Sequence, residues 1–457
     1  MDYMYDENLN LTRNVLYGVD IQNTSVPRST LQNGAKVIFK NNQGKMFGMN
    51  DDLLSKHTLL IGGIGTGKTN VFYSMVQPLL QNMTQNDVML IFDTKGDFYN
   101  TFYQPSNLNH WVIGTGEKYE TVSRSWNIFD EMRDDSGNFS KNKELIAKEI
   151  GKQLFVGRES KSQPFFHQAA QDVVSKVLIH LMRQAEKNHT ESQLNTCNFV
   201  GFLKSADKYT YHEMSQLNPD FKNIQSYFGN PEDRQSNQAL GVFSTINEMV
   251  NDLFVDIFAN KSWAGDFSMR RVVREKGKKV VFCEYDLNMG KILEPMYRLM
   301  FDLAFKEGVG GREDNRGNVY VIIDEFKLLP NLMHIDNALN FGRSLGLKLI
   351  CGLQNINQLY EVYGMERGKN ICSGFSNCFC FQNYDANTRQ YMSEHFGNTY
   401  ENLDFNSRSG QVPHVREGHV VEDWDILHLQ IGQAYVQLAG YDPFLYQFPE
   451  YKTDKGE

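Results

Sequence analysis

Apolar residues in this chain fall into short continuous blocks and longer segments of helical spacing. The blocks are HTLLIGG (57–63), VMLIFD (88–93), HWVIGTG (110–116), KKVVFCEYDL (278–287), NVYVIIDE (318–325), LKLICGLQ (347–354), NCFCFQ (377–382) and QAYVQLAG (433–440). Runs this short and this apolar read as strands buried on both faces. Helical spacing marks VFYSMVQPLL after the first block, where Pro78 is expected to kink or end the helix. It returns near 294–306, 334–345, 355–364 and 386–396. Alternating strands and helices predict an α/β fold, a mostly parallel sheet with helices on both faces.

Between 140 and 270 the pattern changes. KELIAKEIGKQLF, FFHQAAQDVVSKVLIHLMRQAEK and NQALGVFSTINEMVNDLFVDIFA are long amphipathic segments, and no strand pattern interrupts them. This predicts an all-α domain, residues 140–270, inserted in an α/β domain of residues 51–139 and 271–445. Residues 1–50 form a polar, Asn-rich extension with β-like pieces AKVIFK and KMFGM. Residues 446–457 form a tail, and its end, YKTDKGE, is expected to be disordered. No internal repeat or heptad array is present.

Composition narrows the function classes. With 41% hydrophobic and 22% charged residues over 457 positions, the chain is a folded protein of two or three domains. A formal charge of −9 excludes a uniformly basic nucleic-acid binder, so contact with nucleic acid requires a local basic surface. No segment approaches the roughly 18 apolar residues of a membrane span. The acidic start, MDYMYDENLN, is not a secretory signal. Six cysteines without a CxxC pair imply a reducing, cytoplasmic setting, no disulfide frame and no zinc site. Cys378 and Cys380 share one strand face and are expected to be buried thiols.

The strongest chemical signal is Gly62-Gly63-Ile64-Gly65-Thr66-Gly67-Lys68-Thr69, which matches G-x-x-x-x-G-K-[ST] between a strand and a helix. Glycines let backbone N–H groups converge on crowded phosphate oxygens, and the helix N-terminus favours the same charge. Lys68 can reach the β- and γ-phosphates of ATP, and Thr69 can hold Mg²⁺. Asn70, next in the first helical turn, completes the candidate nucleotide-binding set. The block VYVIIDE ends in Asp324 and Glu325. An aspartate there can hold the water shell of Mg²⁺, and a glutamate beside it can activate the attacking water. The long interval between Lys68 and Asp324 is explained by the helical insert.

Weaker signals carry two readings each. Asp93-Thr94-Lys95-Gly96-Asp97 is either part of a nucleotide edge or a charged turn capping a strand. Gln354 either senses a γ-phosphate or is an ordinary polar residue at a helix start. Arg343 is a surface arginine, or in an oligomeric ATPase it reaches a neighbour's phosphate. Arg270 to Lys279 carries six positive residues and one acid. It is either a phosphate-backbone contact or, more often, a solvated helix end. Phe165-Phe166-His167 reads as the apolar face of a helix with a partly buried histidine.

Taken together, GGIGTGKT, DTKGD, IIDEF and GRSLGLKLICGLQNINQLYEVYG resemble the type IV coupling proteins of conjugation and type IV secretion. These are TraG/TraD-like ATPases related to the FtsK and HerA DNA pumps. The resemblance spans about residues 55–440. Its most specific part places Asp324, Glu325, Arg343, Gln354, Gln358, Leu359, Tyr363 and Gly364 in the family pattern, with Asp385, Thr388 and Gly397 following. It implies a RecA-like P-loop ATPase that works as a homo-hexamer with ATP at subunit interfaces. Lys68 and Thr69 hold phosphate and Mg²⁺, Asp324 positions the metal, and Glu325 activates water. Gln354 senses hydrolysis and Arg343 acts in trans. The implied cargo is DNA, single-stranded in preference, bound to a relaxase-type protein. The alternatives are an ATP-switched receptor or adaptor and a double-stranded DNA pump of the FtsK or HerA type. Family members usually begin with transmembrane helices. Lacking them, this chain is expected at the inner face of the membrane through an anchoring or secretion-channel partner.

Overall fold

The computed structural model describes residues 12–32, 34–158, 163–232, 236–259, 265–310, 317–407 and 410–452. The chain forms two compact units. One comprises Met1–Asn82, Asp324–Lys327 and Lys348–Glu457; the other comprises Met83–Ile323 and Leu328–Leu347. The strands at their centres are β1 (Thr58–Ile61), β2 (Val88–Asp93), β3 (His110–Gly114), β4 (Lys279–Glu284), β5 (Val319–Ile323), β6 (Leu347–Leu353), β7 (Asn377–Phe381), β8 (Gln433–Gln437) and β9 (Phe444–Gln447).

In the first unit the order is β9-β8-β7-β1-β6. Strand β1 runs parallel to β6 and β7, placing Ile61 opposite Leu353 and Cys380. Strands β8 and β9 continue antiparallel. The three parallel strands are wholly buried, which explains their unbroken apolar runs. Lys348 is the one charged residue among them, and it is ion-paired to Asp51 at 2.9 Å. The pieces Val37–Lys40 and Met46–Met49 pair antiparallel, and Phe47 packs edge-on against Phe444 and Tyr446.

In the second unit β5-β2-β4-β3 are all parallel, with Asp93 and Gly114 on either side of Glu284 at the carboxyl ends. Helices at Lys143–Gln153, Pro164–Asn188, Thr196–Ser205, Lys208–Leu217, Ile224–Phe228 and Asn237–Leu253 lie in the same unit. Asn195 and Asp207 close capping boxes at two of their starts. Tyr211 stacks on Phe228 at 4.4 Å in their core.

Several expectations need correction. Pro78 does not end its helix, which runs Lys68–Asn82. Burial of Val71, Phe72, Met75, Val76 and Leu79 along one face outweighs one missing hydrogen bond. The helix near 355–364 is followed directly by a second, Met365–Ser373. A short strand, Asp266–Phe267, does occur within 140–270, parallel to Ser125–Trp126. A three-stranded antiparallel sheet of Thr12–Tyr17, Asn398–Ser407 and Gly410–His419 escaped the apolar pattern. Phe165 is exposed, while Phe166 and His167 are half-buried on the helix Pro164–Asn188, so the FFH stretch is covered only in part. The acidic start and the last five residues of the tail lie outside the described residues.

Candidate functional site

The phosphate loop is shaped from three sides within the first unit. Gly62 N–H donates to Leu353 O on β6 at 3.1 Å, and Gly63 N–H donates to Gln382 O beyond β7 at 2.8 Å. Gly432 N–H donates to Thr66 O at 2.9 Å. Gly67 has φ +104° and lies against Gly432, where a Cβ would stand 3.2 Å from the Gly432 Cα. Left-handed backbone and close approach together require glycine there. The Thr66 hydroxyl donates to Gly63 O at 2.9 Å and stiffens the loop from within. Ile64 is exposed at its tip. Lys68 Nζ donates to Gly62 O at 2.5 Å and to Gly63 O at 2.8 Å, so its ammonium sits over the loop it is expected to serve. Thr69 is half-buried in the first turn of the helix.

The acid pair follows β5. Asp324 is buried, and its carbonyl abuts Gly352 of β6, the neighbour of the loop strand β1. The acids therefore lie beside β6, whose parallel neighbour β1 carries the loop at its carboxyl end. Glu325 Oε2 accepts from Gln354 Nε2 at 2.6 Å. Gln354 is itself held: its carbonyl accepts from Asn383 Nδ2 at 2.7 Å, and its N–H donates to Gln358 Oε1 at 3.3 Å. Ile356 N–H donates to the Thr388 hydroxyl at 3.0 Å, and that hydroxyl donates to Asp385 at 2.7 Å. Asp385 and Thr388 thus fix the loop that carries Gln354. Asn383 was missed by sequence reading; its signal was its place two residues past β7, as Gln354 lies one residue past β6.

The Asn70 side chain is engaged by Pro449 and Tyr451. Arg343 is exposed on the second unit, in the 3₁₀ turn Gly342–Leu345. Four of the six cations of the basic run are ion-paired within the fold. Arg270 pairs with Glu307 at 2.6 Å, Arg271 with Asp130 at 3.0 Å, Arg274 with Asp135 at 2.5 Å and Lys279 with Glu275 at 2.9 Å. Buried Glu131 collects the N–H groups of Met269 and Arg270 and the hydroxyl of Ser268. The run anchors the helix Met269–Glu275.

Asp93 takes the capping reading. Its carboxylate accepts five backbone N–H groups, from Lys95, Gly96, Asp97, Phe98 and Tyr99, at 2.8–3.2 Å. These close the turn and start the helix Asp97–Phe102. Next to it, Glu284 accepts the Tyr119 hydroxyl at 2.6 Å. Burial, followed by the Asp93 charge, pushes the Glu284 carboxyl up to about 8. A raised value means the folded state holds the proton more tightly. The stabilisation is complete below the ordinary value of 4.5 and is lost as pH rises through about 8. The stability of Glu284→Gln relative to the native chain should therefore rise between those limits, by about 5 kcal/mol. Denaturant unfolding at a series of pH values measures it, and a pH-independent difference would refute it.

A family model described as the type IV secretion-system coupling protein DNA-binding domain matches residues 44–410. The chain belongs to this coupling-protein family. No curated protein sequence matches it significantly. Among solved structures, the coupling protein is similar to the plasmid coupling protein TrwB in complex with ADP and Mg²⁺. The TM-score is 0.70 at 20% identity, over 98% of this chain and 97% of that one. It is also similar to TrwBdeltaN70 in complex with sulphate, with TM-score 0.71 at 19% identity over 96% and 95%. VirB4 of Thermoanaerobacter pseudethanolicus gives TM-score 0.53 at 10% identity over 92% and 98%. At such identities the likeness is one of fold, the RecA-like P-loop α/β fold with a helical insert. No helix among the described residues is long and apolar enough to cross a membrane.

Proposed function

We propose that this coupling-family chain hydrolyses ATP to drive DNA, single-stranded in preference and carried with a relaxase-type protein, toward a conjugative type IV secretion channel. The observation that carries the reading is the 2.6 Å contact between Glu325 and Gln354 at the edge that also bears the phosphate loop. A glutamate so placed can orient and deprotonate water, and the amide can register the γ-phosphate through the same contact.

Gly62 to Thr69 would cradle the phosphates, with Lys68 leaving its loop carbonyls to pair with them. The residues fit Mg²⁺, which keeps several waters and asks for one or two carboxylates beside phosphate oxygens. Thr69 and Asp324 supply one hydroxyl and one buried carboxylate. Bound there, Mg²⁺ would neutralise charge on the β- and γ-oxygens. TrwB in complex with ADP and Mg²⁺ supports this choice of ligands.

The finer reading has Arg343 completing the site of the next subunit in a homo-hexamer, with residues 140–270 as the inserted domain that meets cargo. An anchoring partner would hold the assembly at the inner face of the membrane. The test is ATP turnover of the full chain without DNA, with single-stranded DNA and with duplex. Strongest stimulation by single strands is expected. Stimulation by duplex alone would favour a double-stranded DNA pump. Nucleotide binding without DNA-dependent turnover would favour a switched receptor.

A further inference from the structure

The last described residues grip the phosphate-loop helix. Asn70 lies one residue past Thr69. Its amide donates to the Pro449 carbonyl at 2.7 Å and accepts the Tyr451 N–H. A side-chain amide carries donor and acceptor side by side. It therefore pairs with backbone groups two residues apart, as a neighbouring strand would. The Tyr451 ring stands edge-on to Tyr73 at 5.4 Å, and its hydroxyl donates to Gln77 Oε1. Asn70, Tyr73 and Gln77 are spaced i, i+3, i+7 and so share one helix face. Nearer the loop, Phe448 N–H donates to Gly432 O at 2.8 Å, while Gly432 N–H holds Thr66 O. One stretch of chain, Gly432 to Tyr451, thus ties both the end of the loop and three positions of its helix.

We propose that this stretch is a strap that positions the phosphate loop, with Asn70 and Tyr451 as positioning residues, and that strap closure and nucleotide binding favour one another. The proposal rests on the phosphate-loop reading above. Phosphate recognition depends on N–H donors aimed before the ligand arrives. The first helical turn supplies part of that set, and the strap fixes the turn from outside. The Asn70 side chain acts through the helix rather than by touching phosphate. Coupling between sites is reciprocal, so a strap that aids binding must itself be tightened by nucleotide.

Two measurements on the full chain test this: affinity for a fluorescent ATP analogue, and amide hydrogen exchange over residues 450–452 with and without ADP. Exchange there should slow when ADP is added. Asn70→Ala should weaken nucleotide binding about five- to tenfold, part of the weight of the two hydrogen bonds it loses. Asn70→Asp should weaken it as much, because a carboxylate cannot donate to the Pro449 carbonyl. Tyr451→Phe keeps the ring and the backbone N–H, so its loss should be smaller. Unchanged exchange on adding ADP overturns the proposal, whether or not Asn70→Ala folds. So does native affinity in a folded Asn70→Ala. Lys68→Ala separates the two readings. If that variant binds nucleotide normally, the phosphate-loop assignment has failed. If it does not bind and the Asn70 variants do, only the strap has failed.

Discussion

Glu325→Gln should leave a chain that binds ATP normally and turns it over about 10²- to 10⁴-fold more slowly, the usual span for losing a general base. The exchange is close to isosteric. The new amide can still accept from Gln354 Nε2 through its carbonyl oxygen, so the 2.6 Å contact and the loop behind it are expected to survive. What disappears is basicity at the oxygen that would take the proton from water. Affinity should hold because the phosphate contacts are assigned to Gly62 to Thr69, in the loop and helix start after β1. Phosphate release at saturating ATP, beside a direct binding titration, separates the two effects. Native turnover in a folded variant would place the base elsewhere and remove the main support for the catalytic assignment.

Gly352→Ala should damage fold and site together. A Cβ on Gly352 would stand 2.1 Å from the Asp324 carbonyl oxygen and 3.0 Å from the Asp324 carbonyl carbon and Phe72 Cε2. The first obstacle is backbone inside a buried sheet, so no side-chain rotation relieves it. Overpacking of this kind costs about 1–3 kcal/mol. The relief available is to push Asp324 outward, which moves the carboxylate assigned to Mg²⁺. The expected result is a lower Tm and a weaker Mg²⁺ dependence of nucleotide binding. Gly308→Ala is the comparison, since its Cβ would meet only Leu347 Cδ1, at 3.5 Å. It should stay near native stability. Native Mg²⁺ dependence in Gly352→Ala would argue that Asp324 does not hold the metal.

What was legible in the sequence was whatever burial or phosphate chemistry constrains tightly. Both-face burial made β1, β2, β5 and β6 unmistakable as apolar runs, and a phosphate cradle leaves few choices at Gly67 and Lys68. The capping of a helix by Asp93 was undecidable, because five N–H partners and a nucleotide edge ask for the same short acidic turn. The basic run misled for a related reason. The partners Asp130, Asp135 and Glu307 are remote in sequence, so charge density alone could not reveal that its three arginines are paired. The sheet of Thr12–Tyr17, Asn398–Ser407 and Gly410–His419 joins the two ends of the chain through pairs such as Asn14 with Asn402. Polar strands of this sort carry no period-two signal. The bond from Asn383 to Gln354 was hidden likewise, since an amide's partner is set by topology rather than by its neighbours.

The cysteines carry a practical consequence. Five of the six are buried, and Cys197, in the helix Thr196–Ser205, is exposed. Burial also raises the thiols of Cys283, Cys351, Cys372, Cys378 and Cys380, which suppresses the reactive thiolate. A maleimide dye added to the unmodified chain should therefore attach at one known position. Both fluorescence anisotropy and distance measurements could then be made without first engineering out any cysteine.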